Sequence, residues 1–301
     1  MPERGRGRPP LILELISKAS GYLAGKGIDT ARLDAELLLS HVLRMDRIQL
    51  YVRFDQPLES AEVDAYRIAI ARRAQRMRVA YITGTKEFYS LELRVDPNVL
   101  IPRPETEFLV ERVLTRLEHG KLSKGLSIVE LGTGSGAIAI ALAHGLREGE
   151  VMEPHIYATD LSQKALDVAK VNVENHDMED WIQLLLGDLY TALPSLLESQ
   201  VDVVISNPPY IPSNEIQHLA PEIVGYEPVK ALDGGLDGLA FYRRIYSEGR
   251  RFLRSGGLVA VEIGHGQAQQ VMAIAEEYGY REIELYRDYG DRERVVMSTW
   301  M

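Results

Sequence analysis

The chain has 301 residues, 46% of them hydrophobic, and 34 lysines and arginines against 44 aspartates and glutamates leave a formal net charge of −10. It contains no cysteine, which excludes disulfides, thiolate metal ligands and a cysteine nucleophile, and its seven histidines all lie more than ten positions apart, so no helical H-x-x-x-H pair exists to hold a metal. No run approaches the ~20 apolar residues that span a bilayer, and the N-terminus lacks the apolar stretch of a signal peptide, so a cytoplasmic location without membrane attachment is expected.

Residues 1–10, rich in Arg, Gly and Pro without apolar periodicity, read as a disordered tail. From Leu11 to about Ala80 the apolar spacing is helical and carries no strand signal, which predicts a bundle of four or five short helices. Leu33, Leu37, Leu38, Val42 and Met45 mark one apolar face, with Asp29 or Thr30 as cap; Ser60 caps another helix carrying Val63, Tyr66, Ile70 and Ala74. Residues 81–100 read as a hairpin linker, with β-rich runs at Ala80 to Thr83, Phe88 to Tyr89 and Leu91 to Val95, broken by Gly84 and by the turn Asp96, Pro97, Asn98.

From residue 101 onward helices and strands alternate. Glu105 to Leu117 is predicted helical, Ile128 to Leu131 a strand, Gly136 to Leu146 a helix, Ile156 to Asp160 a strand, and Ser162 to Asn175 a helix opened by its own serine. Strands follow at Ile182 to Leu186 and Val201 to Ser206, then a helix at Leu239 to Leu253, a strand at Leu258 to Ile263 and a helix at Gln267 to Tyr278. Ile283 to Tyr286 and Arg294 to Ser298 form a terminal antiparallel hairpin around Asp288 to Asp291. The fold class is therefore α/β: a mostly parallel, Rossmann-like sheet over residues 101–301, behind a helical domain at 11–80.

Charge divides the chain in the same place. Residues 1–80 carry +4 and residues 81–301 carry −14, and an acidic larger part repels a phosphate backbone, so stable nucleic-acid binding is not expected. The basic N-terminal part is suited to an acidic protein partner.

Chemistry first appears at Glu130-Leu131-Gly132-Thr133-Gly134-Ser135-Gly136, between a strand and an apolar helix. Glycines there permit positive φ and bring a ligand to unpaired N–H groups at a helix start, but the spacing G-x-G-x-G is not the G-x-G-x-x-G of dinucleotide enzymes. Asp160 ends the next strand, where an acid accepts ribose hydroxyls, and Gly187-Asp188-Leu189 ends the third, where a carboxylate meets an exocyclic amine and Leu189 covers adenine. Glu130 suits a cation better than a pyrophosphate. Together these favour S-adenosylmethionine, leaving S-adenosylhomocysteine as product, over NAD.

The fourth strand runs into Asn207-Pro208-Pro209-Tyr210. Two prolines remove two backbone donors and stop the sheet; the Asn207 side chain and the Pro208 carbonyl are acceptors, and Tyr210 offers a ring. Such a loop grips a planar NH2 group, of an amide or an aromatic amine. Acceptors angled toward a tetrahedral nitrogen favour a pyramidal transition state and aim the lone pair at a methyl group.

At these residues the chain resembles the class I methyltransferases and, more closely, the HemK/PrmC family of release factor glutamine methyltransferases. The resemblance also runs through Val99 to Glu107, with its Pro102-Arg103-Pro104-Glu105-Thr106-Glu107 run, through Tyr226-Glu227-Pro228 and Ala231 to Leu239, and through Glu262-Ile263-Gly264. It implies methylation of N5 of the glutamine in the Gly-Gly-Gln motif of class 1 peptide chain release factors; a monomer is expected, with the helical domain at 11–80 recognising the substrate. Under it Glu130, Gly132, Thr133, Gly134, Ser135, Gly136, Asp160, Asp188, Leu189 and Asn207 bind the cofactor. Asn207, Pro208 and Tyr210 are catalytic, and Asn207, Pro208, Pro209, Tyr210, Arg103 and Glu105 bind substrate; no metal is implied. Leu189 departs from a position often aromatic in the family, and Ala80 from one that tends to be proline. The amine-gripping loop alone leaves a second reading, an adenine N6-methyltransferase on DNA or RNA, against which the acidic catalytic part weighs.

Overall fold

A computed structural model describes residues 8–119, 125–149 and 154–301, so most of the expected tail, residues 1–7, lies outside it. Close contacts divide the chain into two units: residues 1–84 with Pro221–Tyr226, and residues 85–220 with 227–301.

The first unit holds α1 (Ile12–Gly25), α2 (Ala31–Leu43), α3 (Arg47–Val52), α4 (Ser60–Ala74) and α5 (Val79–Thr83). Pro10 is ordered against this unit, its carbonyl accepting from the Leu58 amide at 3.0 Å. Ile12, Ile16, Leu23, Leu38, Leu39, Leu50 and Tyr66 are its most deeply buried large side chains. On α2 the buried residues are Ala31, Asp34, Ala35, Glu36, Leu38 and Leu39; of the expected face Leu38 is buried and Val42 and Met45 pack partly buried on the same core, whereas Leu33 and Leu37 face outward at 40% and 37% exposure. The inward side therefore differs from the expected face at Leu33 and Leu37, and it includes an aspartate, Asp34, neutralised by Arg73 Nε at 2.6 Å, both side chains being 8% exposed. Arg73 and Arg76 also hold Glu222 of the short α9 (Pro221–Val224), at 3.4 and 3.1 Å, and the Tyr226 hydroxyl donates to the Gln75 carbonyl at 2.6 Å.

Two local expectations change. Glu59, not Ser60, is the cap of α4, and its amide is satisfied by the Glu62 carboxylate at 2.8 Å. Ala80 to Thr83, β-rich by composition, is a helical turn closed by Gly84 at φ +80°, with Tyr81 buried. A five-residue segment has too little intrinsic preference to resist that packing. The hairpin proper is β1 (Thr85–Phe88) and β2 (Leu91–Arg94), joined by Tyr89 and Ser90, both at positive φ, the twist that suits a two-residue connection.

In the second unit α6 (Pro104–His119) precedes β3 (Ser127–Leu131), α7 (Ala137–Glu148), β4 (His155–Asp160), α8 (Gln163–Asn175), β5 (Ile182–Leu186) and β6 (Val201–Ser206). Then come α10 (Ala240–Gly249), β7 (Leu253–Glu262), α11 (Ala268–Glu277), β8 (Arg281–Arg287) and β9 (Glu293–Thr299). The sheet runs β5-β4-β3-β6-β7-β9-β8; β5 through β7 are parallel, and β9 is antiparallel to both neighbours. As expected, Ser162 caps α8, its hydroxyl accepting from the Ala165 amide at 3.3 Å. The chain builds outward from β3 through β4 to β5, then returns to place β6 on the other side. Sheets of this kind open a ligand crevice at the carboxyl ends of the strands flanking that switch, here β3 and β6. The two loops singled out in the sequence, 130–136 and 207–210, follow those two strands.

Candidate active site

Gly132, Gly134 and Gly136 all adopt positive φ, at +75°, +57° and +82°, which explains the three-glycine spacing. The amides of Gly132 and Thr133 donate to the Thr159 carbonyl of β4, both at 2.9 Å. Asp160 braces the loop from below. One carboxylate oxygen accepts from the Gly134 amide at 2.9 Å and the other from the Ser162 amide at 2.8 Å; burial raises its pKa against those bonds. Each oxygen retains a lone pair for a further donor such as a ribose hydroxyl.

Glu130 is fully enclosed. Its Oε2 accepts from Thr133 Oγ1 at 2.7 Å and from the Ala139 amide at 3.1 Å, whereas its Oε1 is buried with no hydrogen-bond partner. Burial is the main reason its pKa is pushed up to about 8. An unpaired carboxylate oxygen beside a glycine loop fits the ammonium of S-adenosylmethionine, and would fit a pyrophosphate badly. A raised folded pKa means the folded state holds the proton longer than the unfolded chain. The stability linked to Glu130 is therefore complete below its ordinary pKa and lost as pH rises through about 8. The Tm of the ligand-free protein is expected to fall across that window. Glu130→Gln flattens the fall in a thermal melt series, and an unchanged slope would locate the titration elsewhere.

Asp188 is not free to meet a ligand alone: both its oxygens lie within 3.0 Å of Arg244 Nη1, and Arg244 also bonds Glu248 at 3.0 Å. Leu189 is buried and left-handed at φ +50°, an arrangement that costs a non-glycine residue about 1 kcal/mol or more. Thr133 and Ser135 are buried within the loop.

Across the switch, Asn207 Nδ2 donates to Thr106 Oγ1 at 2.9 Å, and that hydroxyl donates to Glu262 Oε2 at 2.6 Å. Glu262, at the end of β7, is fully buried; its other oxygen, Oε1, accepts from the Tyr210 hydroxyl at 3.3 Å. Burial is the main force pushing its pKa up to about 7, and burial, then the neighbouring Glu262 charge, raises that of Tyr210. Since Thr106 has one proton and spends it on a carboxylate, its lone pair accepts only the NH2 end of Asn207. Asn207 Oδ1 and the Pro208 carbonyl receive no hydrogen bond from the described residues.

The backbone of the loop is fixed from behind. Gln267 Nε2 donates to the Tyr210 carbonyl at 2.9 Å, and Gly234 donates to the Ile211 carbonyl at 2.8 Å. Gly234 and Gly238 run so close that an added Cβ would lie 2.8 Å from Tyr210 Cα and 2.4 Å from its carbonyl oxygen respectively. That approach accounts for the A-L-D-G-G-x-D-G-L run. Arg103 Nη2 reaches both oxygens of the buried Glu227, at 2.8 and 2.6 Å, whereas Glu105 is exposed and makes no hydrogen bond or ion pair among the described residues. Within the P-R-P-E-T-E segment it is Thr106, not Arg103 or Glu105, that touches Asn207. Sequence reasoning assigned no role to Thr106, Arg244, Glu262 or Gln267. The signals available were the Pro102 to Glu107 run, which contains Thr106, and an acid ending an otherwise apolar strand at Glu262.

Residues 14–84 match the PrmC N-terminal domain and residues 104–232 the methyltransferase small domain. A release factor glutamine methyltransferase of Geobacter sulfurreducens is 40% identical over 285 residues, covering 95% of each chain. One of Rhodopirellula baltica is 38% identical over 299 residues, covering 98% of each. Among solved structures, the hMettl16 catalytic domain in complex with MAT2A 3′UTR hairpin 6 is similar in fold, with a TM-score of 0.53 at 18% identity over 76% of this chain and 81% of that one. Fold and site define a Rossmann-like methyltransferase, the glycine loop and the Asn-Pro-Pro-Tyr loop flanking its switch point. With relatives this similar over nearly its whole length, the chain belongs to the release factor glutamine methyltransferase family.

Proposed function

We propose that this enzyme transfers a methyl group from S-adenosylmethionine to N5 of the glutamine in the Gly-Gly-Gln motif of class 1 release factors, acting as a cytoplasmic monomer. The observation that carries the reading is the tethered NH2 end of Asn207, which leaves its carbonyl end for a ligand. The relatives' names support the choice of acceptor.

S-adenosylmethionine, when bound, supplies an electrophilic methyl group on a sulfonium. Glu130 Oε1 would accept from the ammonium, whose charge would favour the ionised carboxylate, Asp160 would take the ribose hydroxyls, and Asp188 and Leu189 would line the adenine, with Arg244 orienting Asp188. Asn207 Oδ1 and the Pro208 carbonyl accept the two N–H bonds of the glutamine amide, and the Tyr210 ring lies along its plane with Pro209 beside it. A planar amide satisfies two such acceptors less well than a pyramidal nitrogen does, so the grip favours the transition state. No base is required before attack. The nitrogen becomes acidic as its new bond to carbon forms, and the proton leaves through one of the two acceptors to water. The helical unit, together with residues 221–226 that pack on it, would recognise the release factor.

The test is transfer from labelled S-adenosylmethionine to a purified class 1 release factor, beside its Gly-Gly-Ala variant and a mixed DNA and RNA control. Label on the wild-type factor alone is expected. Label on the nucleic acid would replace this reading with adenine N6-methylation.

A further inference from the structure

Asn207 is useful only in one of its two amide orientations. Flipped by 180°, it would offer N–H groups to an acceptor amide that itself needs N–H acceptors. The loop does not set this orientation, because among the described residues the side chain bonded to the Asn207 amide is that of Thr106, from α6. Thr106 can both give and take a hydrogen bond, so its own direction is decided one step further, by Glu262. We propose that Glu262 is a positioning residue which, acting through the Thr106 hydroxyl, locks the Asn207 carbonyl toward the acceptor nitrogen and so must be ionised for full turnover.

The geometry supports a switch as well as a lock. An ionised carboxylate only accepts, so Thr106 points its proton at Oε2 and Asn207 must present NH2. A protonated Oε2 could instead donate to Thr106, whose proton would then turn to Asn207 Oδ1 and hold the amide the wrong way round. The groups bonded to the Glu262 carboxylate are Thr106 from α6 and Tyr210 from the loop, the charges of Arg294 on β9 and Glu105 on α6 also act on it, and the Tyr242 hydroxyl of α10 donates to its backbone carbonyl at 2.9 Å. Burial pushes the pKa up to about 7 against the Thr106 hydrogen bond and the Arg294 charge, which favour the ionised form, so a modest acid shift changes the hydrogen-bond direction.

The inference rests on the proposed amide acceptor, and the experiment separates the two. With saturating cofactor and release factor, kcat of the wild type is expected to fall on the acid side with an apparent pKa near 7. Thr106→Val keeps the shape and removes the relay; its kcat drops about 10- to 100-fold at pH 8, with the acid limb gone and the KM for S-adenosylmethionine unchanged. Thr106→Ser recovers most of the turnover and the limb. Glu262→Gln, which can donate as readily as accept, is expected at every pH to turn over as the wild type does below the limb. Equal kcat in the Val and Ser variants, or an acid limb that survives in both Thr106→Val and Glu262→Gln, overturns the proposal. A second readout needs no substrate: the Asn207 side-chain amide resonance, assigned by its loss in Asn207→Asp, should exchange its protons at least about tenfold faster in Thr106→Val than in the wild type. Equal exchange also overturns the proposal. If exchange behaves as expected while no label reaches the release factor, the relay stands and the acceptor assignment fails.

Discussion

Asn207→Ala is expected to lower kcat for release factor methylation by about 10²- to 10³-fold while leaving S-adenosylmethionine affinity within a few-fold of wild type. Losing one preorganised hydrogen-bond partner of a transition state costs roughly this much in enzymes. The loss should fall on kcat because Oδ1 does more for a pyramidal nitrogen than for the flat amide it first meets. The fold should survive, since Asn207 is only partly buried and Thr106 keeps its bond to Glu262. Single-turnover rates and cofactor titration on the same preparation check both halves. Wild-type-like turnover would remove Asn207 from the chemistry, and an equal loss of cofactor affinity would make it a cofactor residue first.

Gly238→Ala has the next largest expected effect, although it lies 28 residues beyond the loop it disturbs. Gly238 has φ +73°, and its added methyl would sit 2.4 Å from the Tyr210 carbonyl oxygen and 2.7 Å from Gln267 Nε2. The first obstacle is backbone and the second is the side chain that holds that same carbonyl, so neither gives way without moving Tyr210. Strain and displacement together should cost about 2–4 kcal/mol of stability. Moving the loop by even ~1 Å costs up to about 10²-fold in rate. Gly256→Ala is the control, because φ there is +80° but nothing lies within 4 Å of the added methyl. It should lose about 1 kcal/mol and no activity. Equal losses of turnover in the two variants would mean that left-handed strain, not the approach to Tyr210, is what matters at Gly238.

Both predictions concern residues that were visible in the sequence, joined through contacts that were not. The glycine loop and the Asn-Pro-Pro-Tyr loop announce themselves because local rules act on them: positive φ demands glycine, and paired prolines end a strand. The partners of those loops obey no local rule. Thr106 lies 101 positions before Asn207 and Glu262 lies 156 after Thr106, and the sheet brings them together by pairing β7 with β6 while α6 packs against β7. Arg103 and Glu105 flank Thr106 and look more like active-site residues by type, yet one is committed to Glu227 and the other is exposed.

The same division runs through the fold. Alternation of apolar strands and helices, the serine cap of α8 and the terminal hairpin follow from periodicity and turn chemistry over a few residues, as do the two ligand loops and the G-x-G-x-G spacing, so local chain order is enough to specify them. That Asp34 of α2 can lie inward depends on Arg73, thirty-nine residues away, because a neutralised aspartate can take a position that an apolar count reserves for leucine. Whether Ala80 to Thr83 coiled or extended was decided by where Tyr81 could be buried. Only the tertiary structure chose which end of Asn207 faces outward, since an amide is nearly symmetric in shape and only a distant carboxylate, through one hydroxyl, distinguishes its oxygen from its nitrogen.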